Sequence, residues 1–193
     1  MKPTLVGARG QTPDEFNPDP YVQDGINRAG ELFDNNRCKT FISRVLQRAA
    51  ADIDARWWAT KERYTSDGNG FYPAVDFASA LGSYANAFNN GWVTASGNPG
   101  AHDGSVTYGT TRPTGHYPVS WNDEFFSLSR NERGLNTLHE ALHQFPGFDD
   151  ATLANAARFV DGQAYRDYTR DRNPVGAASQ NLNELIRDYC APR

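Results

Sequence analysis

The sequence predicts an α+β fold: a single, mostly helical domain with a small β-sheet. Three observations predict it. Apolar residues recur at steps of three and four along several segments, as they do on one face of a helix. Between residues 89 and 118 that period gives way to Asn, Gly, Ser, Thr and Pro interrupted by short β-prone pieces. Residues 139–143 then read His139-Glu140-Ala141-Leu142-His143, an H-E-x-x-H pattern in a chain with only 4 histidines.

Taken in order, residues 1–20 are rich in Pro, Gly and Asp and read as an extended lead-in, leaving 21–193 as the domain. From Asp24 a short helix carries Ile26, Ala29, Leu32 and Phe33 and ends at the Asn35-Asn36 turn. A long helix follows, with Phe41, Val45, Leu46, Ala49 and Ile53 on one face and Trp57 continuing it. Tyr64 to Val75 carries turn signals and room for a short strand. Phe77, Leu81, Tyr84 and Phe88 mark another helix, with Asp76 as its N-cap. Trp92-Val93-Thr94 and Val106-Thr107-Tyr108 are the strands of the expected sheet. Tyr117-Pro118-Val119-Ser120-Trp121 is the strand leading to the motif, with Asn122-Asp123 turning the chain.

The motif helix is bounded by local signals. Ser129-Arg130-Asn131-Glu132 has the S-x-x-E form of a capping box, so the helix starts just after Ser129. Leu135, Leu138, Leu142 and Phe145 form an apolar stripe beside the histidines, and Pro146-Gly147 stops the helix. Gly134 costs about 1 kcal/mol of helix propensity, which points to close packing there. Ala151–Val160 and Ala177–Tyr189 read as two further helices around a polar connection.

Composition sets the outer limits. A chain of 193 residues can bury one substantial core. Its mean hydropathy is −0.69 and it holds no run of eighteen apolar residues, so no membrane-spanning helix is expected. With 19 basic and 23 acidic residues it has no nucleic-acid footprint, and it is expected to act as a monomer. The N-terminus lacks the apolar core of a signal peptide, so a signal or upstream domain is expected outside this sequence. The 2 cysteines, Cys38 and Cys190, lie near opposite ends. An even count in an exported chain favours a disulfide from the first long helix to the last one, worth roughly 4–5 kcal/mol in the chain-entropy model. Two buried free thiols are the alternative, and zinc ligation lacks any C-x-x-C spacing.

Two histidines four apart on a helix sit one above the other, so His139 and His143 can reach one ion. Glu140 lies about 100° around the helix, placed to address water beside the ion without ligating it. A catalytic zinc takes a third protein ligand. Asp149 stands six residues beyond His143, the offset of the third histidine in H-E-x-x-H-x-x-G-x-x-H, although Pro146 occupies the glycine position and Gly147 comes one residue late. Asp150 is one residue further. Either aspartate also suits the cap of the helix at Ala151, and a pair allows one to cap while the other ligates. Glu184 competes, because Asn183-Glu184-Leu185-Ile186-Arg187-Asp188 has the N-E-x-x-x-D form seen in thermolysin-like enzymes. In that reading Glu184 binds zinc and Asp188 supports His139 or His143. His102 and His116 are loop histidines, a type that is usually polar surface.

The segment Thr137–His143, the tail Gly147-Phe148-Asp149-Asp150 and the ending Asn183–Cys190 together resemble small zincin-like domains. Such domains occur at the C-terminal ends of large bacterial RHS-repeat-type surface or toxin proteins. The last third of the chain carries the resemblance, and the remainder matches in outline. It implies a zincin-like active-site helix, a metalloprotease acting on a protein or peptide, and export, either secreted or cell-surface. Cysteines near the start and in the last helix recur in that family, which is similar to Cys38 and Cys190. The family's aspartate after the G-x-x step falls on Asp150, favouring it over Asp149.

The expected chemistry is zinc-dependent peptide-bond hydrolysis. Zn²⁺ held by His139, His143 and Asp150 would polarise water and carbonyl, with Glu140 as general base. Tyr117, Tyr165 and His116 are candidate donors to the oxyanion. The alternative is a zinc-containing, non-catalytic binding module that keeps the motif, suited to a chain that is 12% aromatic. A third reading makes the motif a coincidence on a core-facing helix.

Overall fold

The computed structural model describes residues 19–60, 77–89, 123–145 and 147–192. In chain order these form α1 (Asp19–Phe33), α2 (Asn36–Thr60), α3 (Phe77–Asn89), α4 (Asp123–Ser127) and α5 (Arg130–Leu142). Helix α6 (Asp150–Val160), a 3₁₀ turn (Tyr168–Arg170) and α7 (Pro174–Cys190) complete them. Helix α1 makes its largest contact with α5, while α2 lies on α6 and α7 and α6 also packs on α7.

Each helix buries the stripe that its sequence period defines. Val22, Ile26, Ala29 and Leu32 of α1 are buried, as are Phe41, Ile42, Val45, Leu46, Ala49 and Ile53 of α2. Asn35 Oδ1 accepts from Arg37 N at 2.9 Å, which ends one helix and begins the next. Phe77, Ala80 and Tyr84 bury one side of α3. Phe41 stacks on Tyr189 of α7 with ring centroids 4.0 Å apart, joining the two helices that also share the disulfide. That bond links Cys38 in the first turn of α2 to Cys190, 152 residues later.

The α1–α5 seam is close because glycines line it. A Cβ on Gly25 would stand 2.7 Å from Thr137 Oγ1, and one on Gly134 would strike the Arg28 side chain and lie 3.1 Å from Leu32 Cδ1. The close packing read from Gly134 is therefore real, and its cause is the facing helix. Charges rim the seam: Arg130 reaches Asp24 at 2.9 Å and Glu31 at 2.6 Å, and Arg133 reaches Asp24 at 2.9 Å. Such exposed pairs contribute about 0–1 kcal/mol each, so apolar closure holds the seam and the charges set its register.

The α+β expectation is corrected. Among the described residues there is no strand and no sheet, and the class is helical. The pieces expected as strands, 92–94, 106–108 and 117–121, lie outside the described residues, as do the segment 64–75 and the Asp76 cap. The physical reason is that, among the described residues, helix packs on helix: their buried apolar residues sit on the helices and the 3₁₀ turn, except Phe148, which lies in a connection. Where a turn was expected at Asn122-Asp123, the short helix α4 begins, anchored by buried Phe125 and Phe126. Three β-prone residues are a weak signal, since β-propensity reflects fit to neighbours more than backbone preference.

Candidate metal centre

The site begins with the cap of α5. Ser129 Oγ accepts from Glu132 N at 3.3 Å, as the S-x-x-E pattern predicts. The Glu132 carboxylate takes a two-pronged bond from Arg187 of α7, at 2.8 Å on each oxygen. This ties the motif helix to the last helix. With its start fixed and Leu135, Leu138 and Leu142 buried, α5 turns His139, Glu140 and His143 inward. Their exposures are 2%, 8% and 4%, so whatever balances these polar groups lies inside the protein.

Past Leu142 the chain reverses through Gly147, whose φ of +82° is the left-handed conformation that glycine adopts without strain. The reversal drives Phe148 into the core and aims its carbonyl at His143, which donates from Nδ1 across 2.5 Å. A carbonyl only accepts, so the His143 proton sits on Nδ1 and Nε2 presents a lone pair. His139 has the same arrangement from another direction. Its Nδ1 donates to Oδ1 of Asn183 on α7 at 2.8 Å.

The two Nε2 atoms consequently face each other at 3.0 Å. Asp150 Oδ1 completes a triangle, 3.2 Å from His139 Nε2 and 3.6 Å from His143 Nε2. That oxygen is buried, and the two imidazoles are the groups that face it. Three potential ligand atoms thus converge on one point. Zinc bonds of about 2.0–2.2 Å at tetrahedral angles set ligand atoms about 3.3–3.6 Å apart, and this triangle is such a face within a few tenths of an ångström.

Charge favours a cation there. Burial pulls the His139 ring towards its neutral form, but the carboxylates of Glu140 and Asp150 outweigh burial and hold its pKa at about 9. Burial would likewise raise Asp150, yet the two imidazoles hold it well below the usual carboxylate range. The field that keeps a proton on His139 also stabilises a metal ion at the same point. His139, Glu140 and His143 form a buried group whose ligand atoms all lie within 4.8 Å of one another and could hold a metal ion. Glu140 Oε1 stands 3.7 Å from His139 Nε2, farther than Asp150.

The remaining expected residues lie elsewhere. Asp149 is the N-cap of α6, its Oδ1 accepting from Thr152 N at 2.7 Å. Glu184 is exposed and accepts from Gln180 Nε2 at 3.0 Å, and Asp188 is exposed. Tyr165 is 78% exposed, while His102, His116 and Tyr117 lie outside the described residues. Two contributors escaped the sequence reading: Asn183, read only as the first letter of N-E-x-x-x-D, and the Phe148 carbonyl, which as main chain has no signature. A weak signal existed for Asn183, an amide beside Leu182 and Ile186 on the buried side of α7.

Comparison with protein-family models, curated proteins and solved structures finds no match. The functional reading therefore rests on the chemistry of the cluster.

A groove of about 440 Å³ opens between α2 and α6, lined by Arg48, Asp149, Asn155, Phe159 and Tyr165 among others, and none of His139, Glu140, His143 and Asp150 lines it. None of the described helices is long and apolar enough to cross a membrane. The disulfide is consistent with an extracellular protein.

Proposed function

We propose that the chain is a zinc-dependent peptide hydrolase, exported from its cell, whose metal is held by His139, His143 and Asp150. The observation that carries this reading is the triangle of three buried ligand atoms, 3.0, 3.2 and 3.6 Å on its sides. Nitrogen and oxygen donors at those separations suit zinc, and three protein ligands leave the fourth position to water or substrate. Zinc at this site would supply a Lewis acid for the scissile carbonyl and acidify water.

The chain's own residues do the rest. Glu140, one step around the helix and next to the triangle, takes the proton of the attacking water and returns it to the leaving amine. Asp149 holds the first turn of α6, which keeps the Asp150 carboxylate aimed at the histidines. The resemblance to zincin-like domains of RHS-repeat-type proteins supports the same assignment from the sequence.

The test is Glu140→Gln, assayed for zinc by elemental analysis and for peptide cleavage by mass spectrometry on a mixed substrate pool. Zinc content should stay at the wild-type level while turnover falls by about 10²–10⁴. Equal turnover in both proteins would remove Glu140 as the base. A wild type that holds zinc and leaves every peptide intact would favour the binding-module alternative.

A further inference from the structure

We infer that Asn183 of α7 is a positioning residue of the metal site, which sets the tautomer and rotation of His139 and thereby the site's affinity. The inference rests on the metal-site reading above and adds to it a residue from a different helix. Three observations carry it. Asn183 Oδ1 lies 2.8 Å from His139 Nδ1, on the opposite side of the ring from Asp150. An acceptor there keeps the hydrogen on Nδ1, so Nε2 offers its lone pair towards His143 Nε2 and Asp150 Oδ1. Without it, the hydrogen can move to Nε2 and bond Asp150 across 3.2 Å, filling the point where the ion would sit.

Helix α7 is also held firmly enough to act as a support. Arg187, one turn beyond Asn183, clamps Glu132 in the first turn of α5, and Cys190 is bonded to α2. Leu182, Leu185 and Ile186 are buried around it. His139 is therefore oriented by a remote element, while His143 is oriented by the main chain five residues away.

The choice of an amide over a carboxylate has a chemical consequence. Glu140 and Asp150 already place two negative charges beside His139. A third on α7 would make the imidazole a stronger donor and a bound metal a weaker Lewis acid. A neutral acceptor orients the ring without that change. Asn183→Asp should thus preserve or tighten metal binding, whereas Asn183→Ala should weaken it.

The experiment titrates Co²⁺ into the metal-free full chain and into both variants, following the visible ligand-field bands, with melting of the metal-free proteins in parallel. Asn183→Ala should bind Co²⁺ about 10–100-fold more weakly, with altered bands. Asn183→Asp should bind at least as tightly as wild type, and all three metal-free proteins should melt together. Wild-type affinity and spectrum in Asn183→Ala would overturn the inference, as would an equal loss in both variants. A wild type that takes up no Co²⁺ would instead overturn the metal site itself, and this inference with it.

Discussion

The two sides of α5 solve opposite problems. Towards α1 the helix closes by removing atoms: Gly134 and Gly25 let the backbones approach. Towards α6 and α7 it carries His139 and Glu140, with His143 at its C-cap, and there three potential ligand atoms confront one another. The first side is closed by close helix packing, and the second gathers buried polar groups that could hold a metal ion. One thirteen-residue helix does both, because apolar and polar positions follow different faces of the same 3.6-residue period.

Substitutions on the two sides should therefore separate into two classes. The largest effect is expected from Asp150→Asn, which removes a charge from the triangle. Metal affinity should drop by more than about 100-fold, beyond the 10–100-fold typical of outer partners, and isothermal titration with Zn²⁺ measures it. Next comes Gly134→Ala on the other side. The added methyl meets Arg28 and Leu32, so chemical denaturation should show a loss of about 1–3 kcal/mol from overpacking. Zinc affinity of the folded protein should not change. A stable Gly134→Ala would show that the α1 seam is loose, and one with impaired zinc binding would show that the two sides are coupled. The smallest is Asp149→Ala, which removes the α6 cap and should cost about 1 kcal/mol with zinc retained. If Asp149→Ala lost zinc as completely as Asp150→Asn, the division of labour between the aspartates would be wrong.

How much of this was legible in advance follows the range of each interaction. The Ser129 cap, the Leu135–Leu142 stripe and the helices at Ala151 and Ala177 were readable because their causes lie within a few residues. The pairing of α1 with α5 was visible only as one unexplained glycine, since Arg28 stands more than a hundred residues away. Asp149 and Asp150 could not be separated by spacing. What separates them is that Asp149 has extended backbone and caps, whereas Asp150 is the first helical residue and turns inward. Asn183 reaches His139 across 44 positions of sequence, a distance at which no local pattern speaks. The sheet was inferred from short composition signals, and the described residues form helices with no strand among them.

The bond between Cys38 and Cys190 has one more effect, which concerns damage rather than folding. It turns the chain from 38 to 190 into a closed ring. A single cut in the backbone anywhere on that ring opens it without yielding two molecules, because the severed arms remain joined through sulfur. The histidines of α5, the aspartate of α6 and the asparagine of α7 all lie on the ring. Under the function proposed above, the chain would meet other proteases and copies of itself. Here a first nick would leave the whole assembly on one tether, and its loss would require a second event.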